Sequence, residues 1–121
     1  MDQNSGKTEK KYDLEERTYE FALAVSLYCK KLPRTISNAE YVKQVIRSSG
    51  SPAANYIEAN ESLGKKDFQM KVKICRKEAK ETSLWLKLIV NTNQEQFVSE
   101  GEKLIQEANE LKKIFSSILN K

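Results

Sequence analysis

Four ionic residues are the first candidates for chemistry in this chain: Arg47, Glu58, Glu78 and Glu81. Glu78 and Glu81 are spaced so that one side of a helix would carry both carboxylates, the pairing that general acid–base hydrolysis uses. Neither a metal-binding companion set nor a glycine-rich phosphate loop accompanies them. The pattern therefore favours ion pairing over catalysis, and we expect no enzymatic activity, no cofactor and no bound metal.

Arg47 and Glu58 cannot neutralise each other. Along a helix they are separated by about 16 Å, at 1.5 Å per residue. Each must find its partner on another helix or on another chain, and the sequence leaves both alternatives open.

The two cysteines, Cys29 and Cys75, are isolated from each other. The chain has no CxxC pair and no histidine, so it lacks the spacing of zinc sites and the base of histidine-dependent triads. We expect two reduced thiols in a protein core.

The amino-terminal residues are polar, without the apolar region of an export signal. No apolar run approaches the ~18 residues of a membrane span. The sequence therefore predicts a cytoplasmic protein with no membrane partner.

The elements that must position these side chains are predicted to be helices. The 121 residues include only four glycines and two prolines, and they are rich in Lys, Glu, Leu, Ile and Ala. One domain with one core is expected at this length. Residues 1–12 lack apolar periodicity and are predicted to form a disordered tail, so the folded domain is 13–121.

Four amphipathic segments follow from the apolar periodicity. They span 13 to about 31, 37 to about 62, 65 to about 90, and 93 to the end, with predicted caps at Asp13, Ser37 or Asn38, and Asn93. Because short loops join them, consecutive helices must lie antiparallel. The predicted fold is all-α: an antiparallel up-down-up-down four-helix bundle.

Pro52 interrupts the second segment, within Gly50-Ser51-Pro52. A proline inside a helix removes one hydrogen bond and crowds a carbonyl, at a cost of about 3 kcal/mol. We predict a helix kinked near Pro52, with two shorter helices as the alternative. A turn follows the second segment, and Gly64 there is free to adopt positive φ.

Two surfaces on the second and third segments suggest contact with another polypeptide. Gln44, Ser48, Ser51 and Asn55 form a side of helix two that is small and nearly uncharged. Helix three has a second apolar stripe beside its inward one. The predicted oligomer interface comprises Arg47, Ser48, Asn55, Glu58, Met70, Ile74, Glu78, Glu81, Trp85 and Leu88.

Helix three also concentrates positive charge. Residues 65–90 include eight basic and three acidic residues, which gives a net charge of +5, compared with +4 for the whole chain. The candidate nucleic-acid-binding residues are Lys66, Lys73, Arg76, Lys77, Lys80 and Lys87. Such a stripe can neutralise phosphates and release counterions, although a solvated helix face has the same composition. No exposed aromatic ladder interleaves with the lysines to read single-stranded bases.

Several stretches together resemble a known family: QVIRSSGSPAANYIEA at 44–59, KKDF at 65–68, KEAKET at 77–82 and Trp85-Leu86. Over roughly residues 14–118 the chain resembles bacterial four-helix-bundle proteins encoded in intervening sequences of large-subunit ribosomal RNA genes. That family includes the accessory variability determinant of retroelements, which works beside a reverse transcriptase.

The resemblance implies a homopentameric barrel of bundles with a central channel, no enzymatic activity, and a role in binding RNA or DNA. It places Arg47, Ser48, Asn55, Glu58, Lys77, Glu78 and Glu81 among the family's characteristic positions. Our leading hypothesis is a non-catalytic, oligomeric accessory factor that binds RNA or DNA electrostatically. The alternative is a protein-interaction scaffold, for example for a reverse transcriptase, that does not touch nucleic acid.

Overall fold

Four helices account for nearly all of the described chain. A computed structural model gives residues 6–121, with side chains from residue 14 onward. The helices are α1 (Gly6–Lys30), α2 (Ile36–Asn60), α3 (Lys65–Thr92) and α4 (Val98–Leu119), and a 3₁₀ turn, Glu95–Phe97, precedes α4. The prediction of an all-α four-helix bundle is confirmed.

The start of α1 differs from the predicted boundary. The helix begins at Gly6, ahead of the expected cap at Asp13. The predicted tail over 1–12 therefore overlaps the first turns of α1. Residues 1–5 lie outside the described residues, and for them the tail stays a prediction.

α2 is capped two or three residues earlier than expected. The hydroxyl of Thr35 accepts a hydrogen bond from the backbone amide of Asn38 at 3.0 Å, so neither Ser37 nor Asn38 is the cap. The Asn38 side chain is buried and exchanges two hydrogen bonds with the Asn93 amide, at 2.8 and 2.9 Å. This amide pair joins the start of α2 to the end of α3.

α2 is one unbroken helix from Ile36 to Asn60, with Pro52 inside it. The alternative of two shorter helices is therefore wrong, and the kink at Pro52 stays a prediction. Pro52 is buried, and its carbonyl accepts a bond from the Cys75 thiol at 3.5 Å. Burial against α3 offsets the hydrogen bond that the proline ring removes from the helix.

Two loop predictions are wrong. Gly64 has a φ of −144°, which is extended backbone, so the turn between α2 and α3 does not use positive φ. Asn93 ends α3 rather than capping α4, because a 3₁₀ turn separates the two helices. Asn93 is instead committed to the amide pair with Asn38.

Side-chain contacts fix how the helices lie against each other. Between α2 and α3 the contacts run in opposite chain order: Asn38 with Asn93, Ser48 with Thr82, and Glu58 with Lys71. Between α1 and α4 they do the same: Arg17 with Glu107, and Lys31 with Glu100. Each of these two pairs therefore runs in opposite directions, and all four helices surround one core.

The core consists mainly of apolar residues at helical spacing, whereas Ile46 and Ile57, on the apolar side of α2, are exposed. Its fully buried members include Val25, Val45, Val72, Leu86, Ile89, Leu111 and Phe115. Tyr28 is also fully buried, and its hydroxyl donates to the carbonyl of Phe97 at 2.8 Å. That bond ties α1 to the start of α4 and satisfies the one polar atom of a buried aromatic ring.

Candidate nucleic-acid interface

A row of basic side chains follows the outer face of α3. Four lysines recur at seven-residue intervals, Lys66, Lys73, Lys80 and Lys87, and all four are exposed. A straight helix drifts about 20° per heptad, so the row slants around α3 as it rises. Its end at Lys87 reaches the seam between α3 and α4. From end to end the row spans about 32 Å at 1.5 Å per residue.

The other two predicted members extend this row sideways. Lys77 is exposed and Arg76 is half-buried. Among the side chains that the structure describes, none of the six basic residues forms an ion pair. Their positive charge is thus available to a ligand instead of being neutralised within the chain. We call these six residues the basic row.

Lys71, also on α3, differs from the basic row because it has a partner. Its ammonium group donates to Glu58 at 2.8 Å, and this hydrogen bond raises the pKa of Lys71. The partner that Glu58 required is therefore on α3 of the same chain. Both side chains lie partly in solvent, so screening keeps the contribution to stability small.

Arg47 also finds its partners within the chain. Its guanidinium lies 2.7 Å from Glu81 and 3.3 Å from Glu78. Glu78 is buried, and the Oε1 atom facing Arg47 accepts no hydrogen bond in the described structure. The Arg47–Glu78 contact is thus electrostatic, and the Glu78 charge is the main reason that the pKa of Arg47 is raised.

Glu81 and Trp85 extend this cluster along α3. The Trp85 indole donates to Glu81 at 3.0 Å, and this bond, followed by the one from Arg47, lowers the pKa of Glu81. On α2, Tyr41 lies over Trp85 with ring centroids 6.4 Å apart. Part of the second apolar stripe of α3 is therefore covered by α2.

The centre of the small polar side of α2 packs against α3 of the same chain. Ser48 is fully buried, and its hydroxyl lies 2.9 Å from that of Thr82 on α3. The Asn55 amide bonds within its own helix, to the carbonyl and hydroxyl of Ser51. Small residues here allow α2 and α3 to approach closely. Ser48 and Glu78 are thus enclosed in the single chain and present no free surface to a partner.

The remaining apolar members of the predicted oligomer interface keep some exposure. Met70 is 58% exposed, whereas Ile74, Trp85 and Leu88 are half-buried. By helical spacing they share one side of α3 with Glu81, whose partner Arg47 is on α2. Trp85 is partly covered by Tyr41 of α2. For the others, the oligomer interface stays a prediction.

Comparison with known proteins gives the chain a family. Residues 10–117 match the 23S rRNA-intervening sequence proteins. The protein belongs to this family. A solved structure of a protein of unknown function from the S23 ribosomal protein family of Bacteroides thetaiotaomicron VPI-5482 is similar: 30% identity, a TM-score of 0.73, and coverage of 93% of this chain and 99% of that one. The resemblance in the sequence is thereby confirmed. No protein with a curated description matches.

Most of the positions that the resemblance marks as characteristic meet between α2 and α3. Arg47, Ser48, Glu58, Glu78 and Glu81 all contact the opposite helix. Arg47 pairs with Glu78 and Glu81. Ser48 contacts Thr82 and Glu58 contacts Lys71, so together these contacts fix how α2 packs against α3. Lys77 differs, because it belongs to the basic row.

Apolar side chains that the predicted oligomer interface does not include are exposed on α1 and α2. Tyr19, Leu23 and Leu27 of α1 are exposed at four-residue spacing, and α2 exposes Ile46 and Ile57. We use the name α1–α2 apolar surface for these two exposed stripes, three residues on α1 and two on α2. The signal was present in α1 as a second apolar stripe beside the inward one, the same pattern that was recognised on α3.

The described residues contain neither a metal-binding cluster nor a helix that could span a membrane. No group of three or more His, Cys, Asp or Glu side chains there could hold a metal ion. None of the described helices combines the length and apolar character needed to cross a bilayer.

Proposed function

We propose that this intervening sequence protein is a non-catalytic, oligomeric four-helix bundle that binds RNA or DNA electrostatically as an accessory factor. The observation that carries the proposal is the basic row. Six cations lie along about 32 Å of one helix, and none is neutralised by an acid in the described chain. The family's link to 23S rRNA genes supports a nucleic-acid partner.

The physics of binding follows from the phosphates. Duplex DNA carries one negative charge per ~1.7 Å of axis, so a rigid row of this length faces many phosphates at once. Each lysine that replaces a condensed counterion releases it to solvent. Such contacts set affinity and position but not base sequence. The bundle needs no moving part for this role, because α3 already presents its cations on a helix packed against two neighbours.

Oligomerisation is the second element of the proposal, with a homopentamer in the bacterial cytoplasm as the assembly. The exposed α1–α2 apolar surface and Met70 support it, because exposed apolar patches on small proteins mark interfaces. Joining several basic rows in one particle raises avidity without any new contact. Light scattering should return a multiple of 13.9 kDa, and about five times that mass for a pentamer. A mass of one chain at micromolar concentration would contradict the assembly.

Fluorescence anisotropy with duplex DNA and structured RNA at low salt tests the binding. The triple variant Lys73→Glu, Lys77→Glu and Lys80→Glu should lose binding to both ligands. A matched control, Lys30→Glu, Lys43→Glu and Lys103→Glu, makes the same charge change at exposed lysines outside the row.

We expect the matched control to retain most of the affinity of the unmodified protein. Equal loss in both triple variants would show that only net charge matters, and the basic row would then not be a site. Absence of binding by the unmodified protein would refute the proposal as a whole.

The α1–α2 apolar surface also favours a second candidate function, a protein-interaction scaffold, for example for a reverse transcriptase. In that case the lysines serve solubility. A purified, nuclease-treated reverse transcriptase should then be retained by the immobilised unmodified protein. The immobilised Leu23→Glu variant should not retain it. Retention that nuclease abolishes would favour the nucleic-acid role instead.

A further inference from the structure

The basic row ends at a groove. It lies in the outer seam between α3 and α4, has a volume of about 450 Å³ and includes Lys87, the last cation of the row, in its wall. This volume falls within the ~300–1,000 Å³ of small-ligand sites. Because the two walls come from different helices, the groove exists only in the folded bundle. A strand that follows the lysines along α3 would reach it directly.

The groove combines an apolar floor with amide walls. Val90 is buried and Ile105 is half-buried at the floor. Asn91, Gln106 and Asn109 supply three carboxamides. The Asn91 amide nitrogen donates to the carbonyl of Lys87 at 2.9 Å, which leaves its oxygen to accept. Within the described chain, the Gln106 and Asn109 side chains have no hydrogen bond of their own and can present both a donor and an acceptor.

We propose that this groove holds one unpaired base of a single-stranded RNA or DNA, with adenine preferred, while Lys87 and Lys80 hold the neighbouring phosphates. The proposal rests on the proposed function, because the phosphate contacts are those of the basic row. Asn and Gln amides pair bidentately with the N6 and N7 edge of adenine. The apolar floor takes the flat face of the base, in place of the aromatic ring found in other single-strand binders.

Charge sets the direction of the strand in the groove. Glu102 is the acidic residue of the lining, and Lys87 is its cation. A phosphate is attracted to Lys87 and repelled by Glu102, so the backbone lies on the α3 side and the base points toward α4. A paired base in a helix cannot enter, because its face is stacked on neighbouring bases even though its N6 and N7 edge is free. The groove therefore selects single strands, whereas the basic row alone also accepts duplexes.

Fluorescence anisotropy with strands of about 12 nucleotides tests this, a length within the range of single-strand sites. The probes are oligo(dA), oligo(rA), oligo(dT), an abasic strand of the same charge, and a duplex. The variant is Gln106→Ala with Asn109→Ala, and the control is Gln96→Ala, an exposed amide outside the groove. Circular dichroism checks that each variant is folded.

We expect the unmodified protein and the Gln96→Ala control to bind oligo(A) roughly fivefold more tightly than the abasic strand, the effect of one amide–base contact. The groove variant should bind oligo(A) no better than the abasic strand, with duplex binding unchanged. Equal affinity for all strands, or a groove variant that keeps the adenine preference, overturns the base site and leaves the basic row standing. If the unmodified protein binds no strand and no duplex, the proposed function fails and the base site fails with it.

Discussion

Replacing Gly101 by alanine should destabilise the bundle, although alanine favours helix over glycine by about 1 kcal/mol. Gly101 is buried in α4. A Cβ atom there would collide with the Val90 side chain and would lie 2.5 Å from the Tyr28 hydroxyl. Tyr28 is fully buried and bonded to the Phe97 carbonyl, so its ring cannot retreat without losing that bond. The glycine is thus what allows α4 to approach α1 and α3.

The expected magnitude follows from three terms. Overpacking a core costs about 1–3 kcal/mol, and a buried hydroxyl that loses its partner costs about 1–3 kcal/mol. The higher helix propensity of alanine offsets about 1 kcal/mol of these costs. The net loss at Gly101→Ala is about 3 kcal/mol, or roughly 12 °C in Tm for a chain of this size. Urea and thermal unfolding, followed by circular dichroism, measure both quantities.

Gly50 provides the matched control for this substitution. It lies inside α2, and a Cβ added there would have no atom within 4 Å. Gly50→Ala should therefore raise stability by up to about 1 kcal/mol. Tyr28→Phe should cost less in the Gly101→Ala background than alone, because the shared hydroxyl contact couples the two sites. If Gly101→Ala is as stable as the unmodified protein, the close packing at this position is refuted.

Three further predictions concern buried or paired groups. Burial raises the pKa of Cys29 to about 11 and that of Cys75 to about 12. Neither thiol should therefore react with a thiol reagent at about pH 8 until urea unfolds the chain. Fast labelling of the native protein would contradict this. The lowered pKa of Glu81 means that its stabilisation is present above its unfolded value, near 4.5, and is lost as pH falls through the folded pKa. Glu81→Gln should flatten the acid side of a plot of unfolding free energy against pH, and an unchanged slope would count against it. Asn93→Ala leaves buried Asn38 without its amide partner and should cost about 1–2 kcal/mol in urea unfolding; a cost below about 0.5 kcal/mol, as for an ordinary surface change, would refute the role of the pair.

Helical periodicity predicts the core well because it depends only on local geometry. Phe21 and Val25 on α1, and Val72 and Leu86 on α3, recur at helical spacing and are all buried. Helix ends were less predictable, since several polar residues near each end can cap. The actual cap of α2, Thr35, precedes an exposed Ile36 that carries no signal of a boundary.

The candidate site could likewise be predicted from the sequence only in part. The basic row could be recognised from seven-residue spacing on one helix, and its lysines are exposed. The partners of Arg47 and Glu58 could not be identified, because that requires knowing which face of α3 meets α2. The groove needs Asn91 and Asn109 side by side, and only the packing of α3 against α4 brings them together.

The salt dependence of binding to duplex DNA tests the role of the basic row most directly. We expect the logarithm of the binding constant to fall linearly with the logarithm of the salt concentration, with each phosphate contact contributing about −0.9 to the slope. Neutralising Lys73 and Lys80 as Lys73→Gln and Lys80→Gln should make the slope shallower by about 1.8. A slope that these substitutions leave unchanged, or affinity that does not respond to salt, would contradict binding by the row.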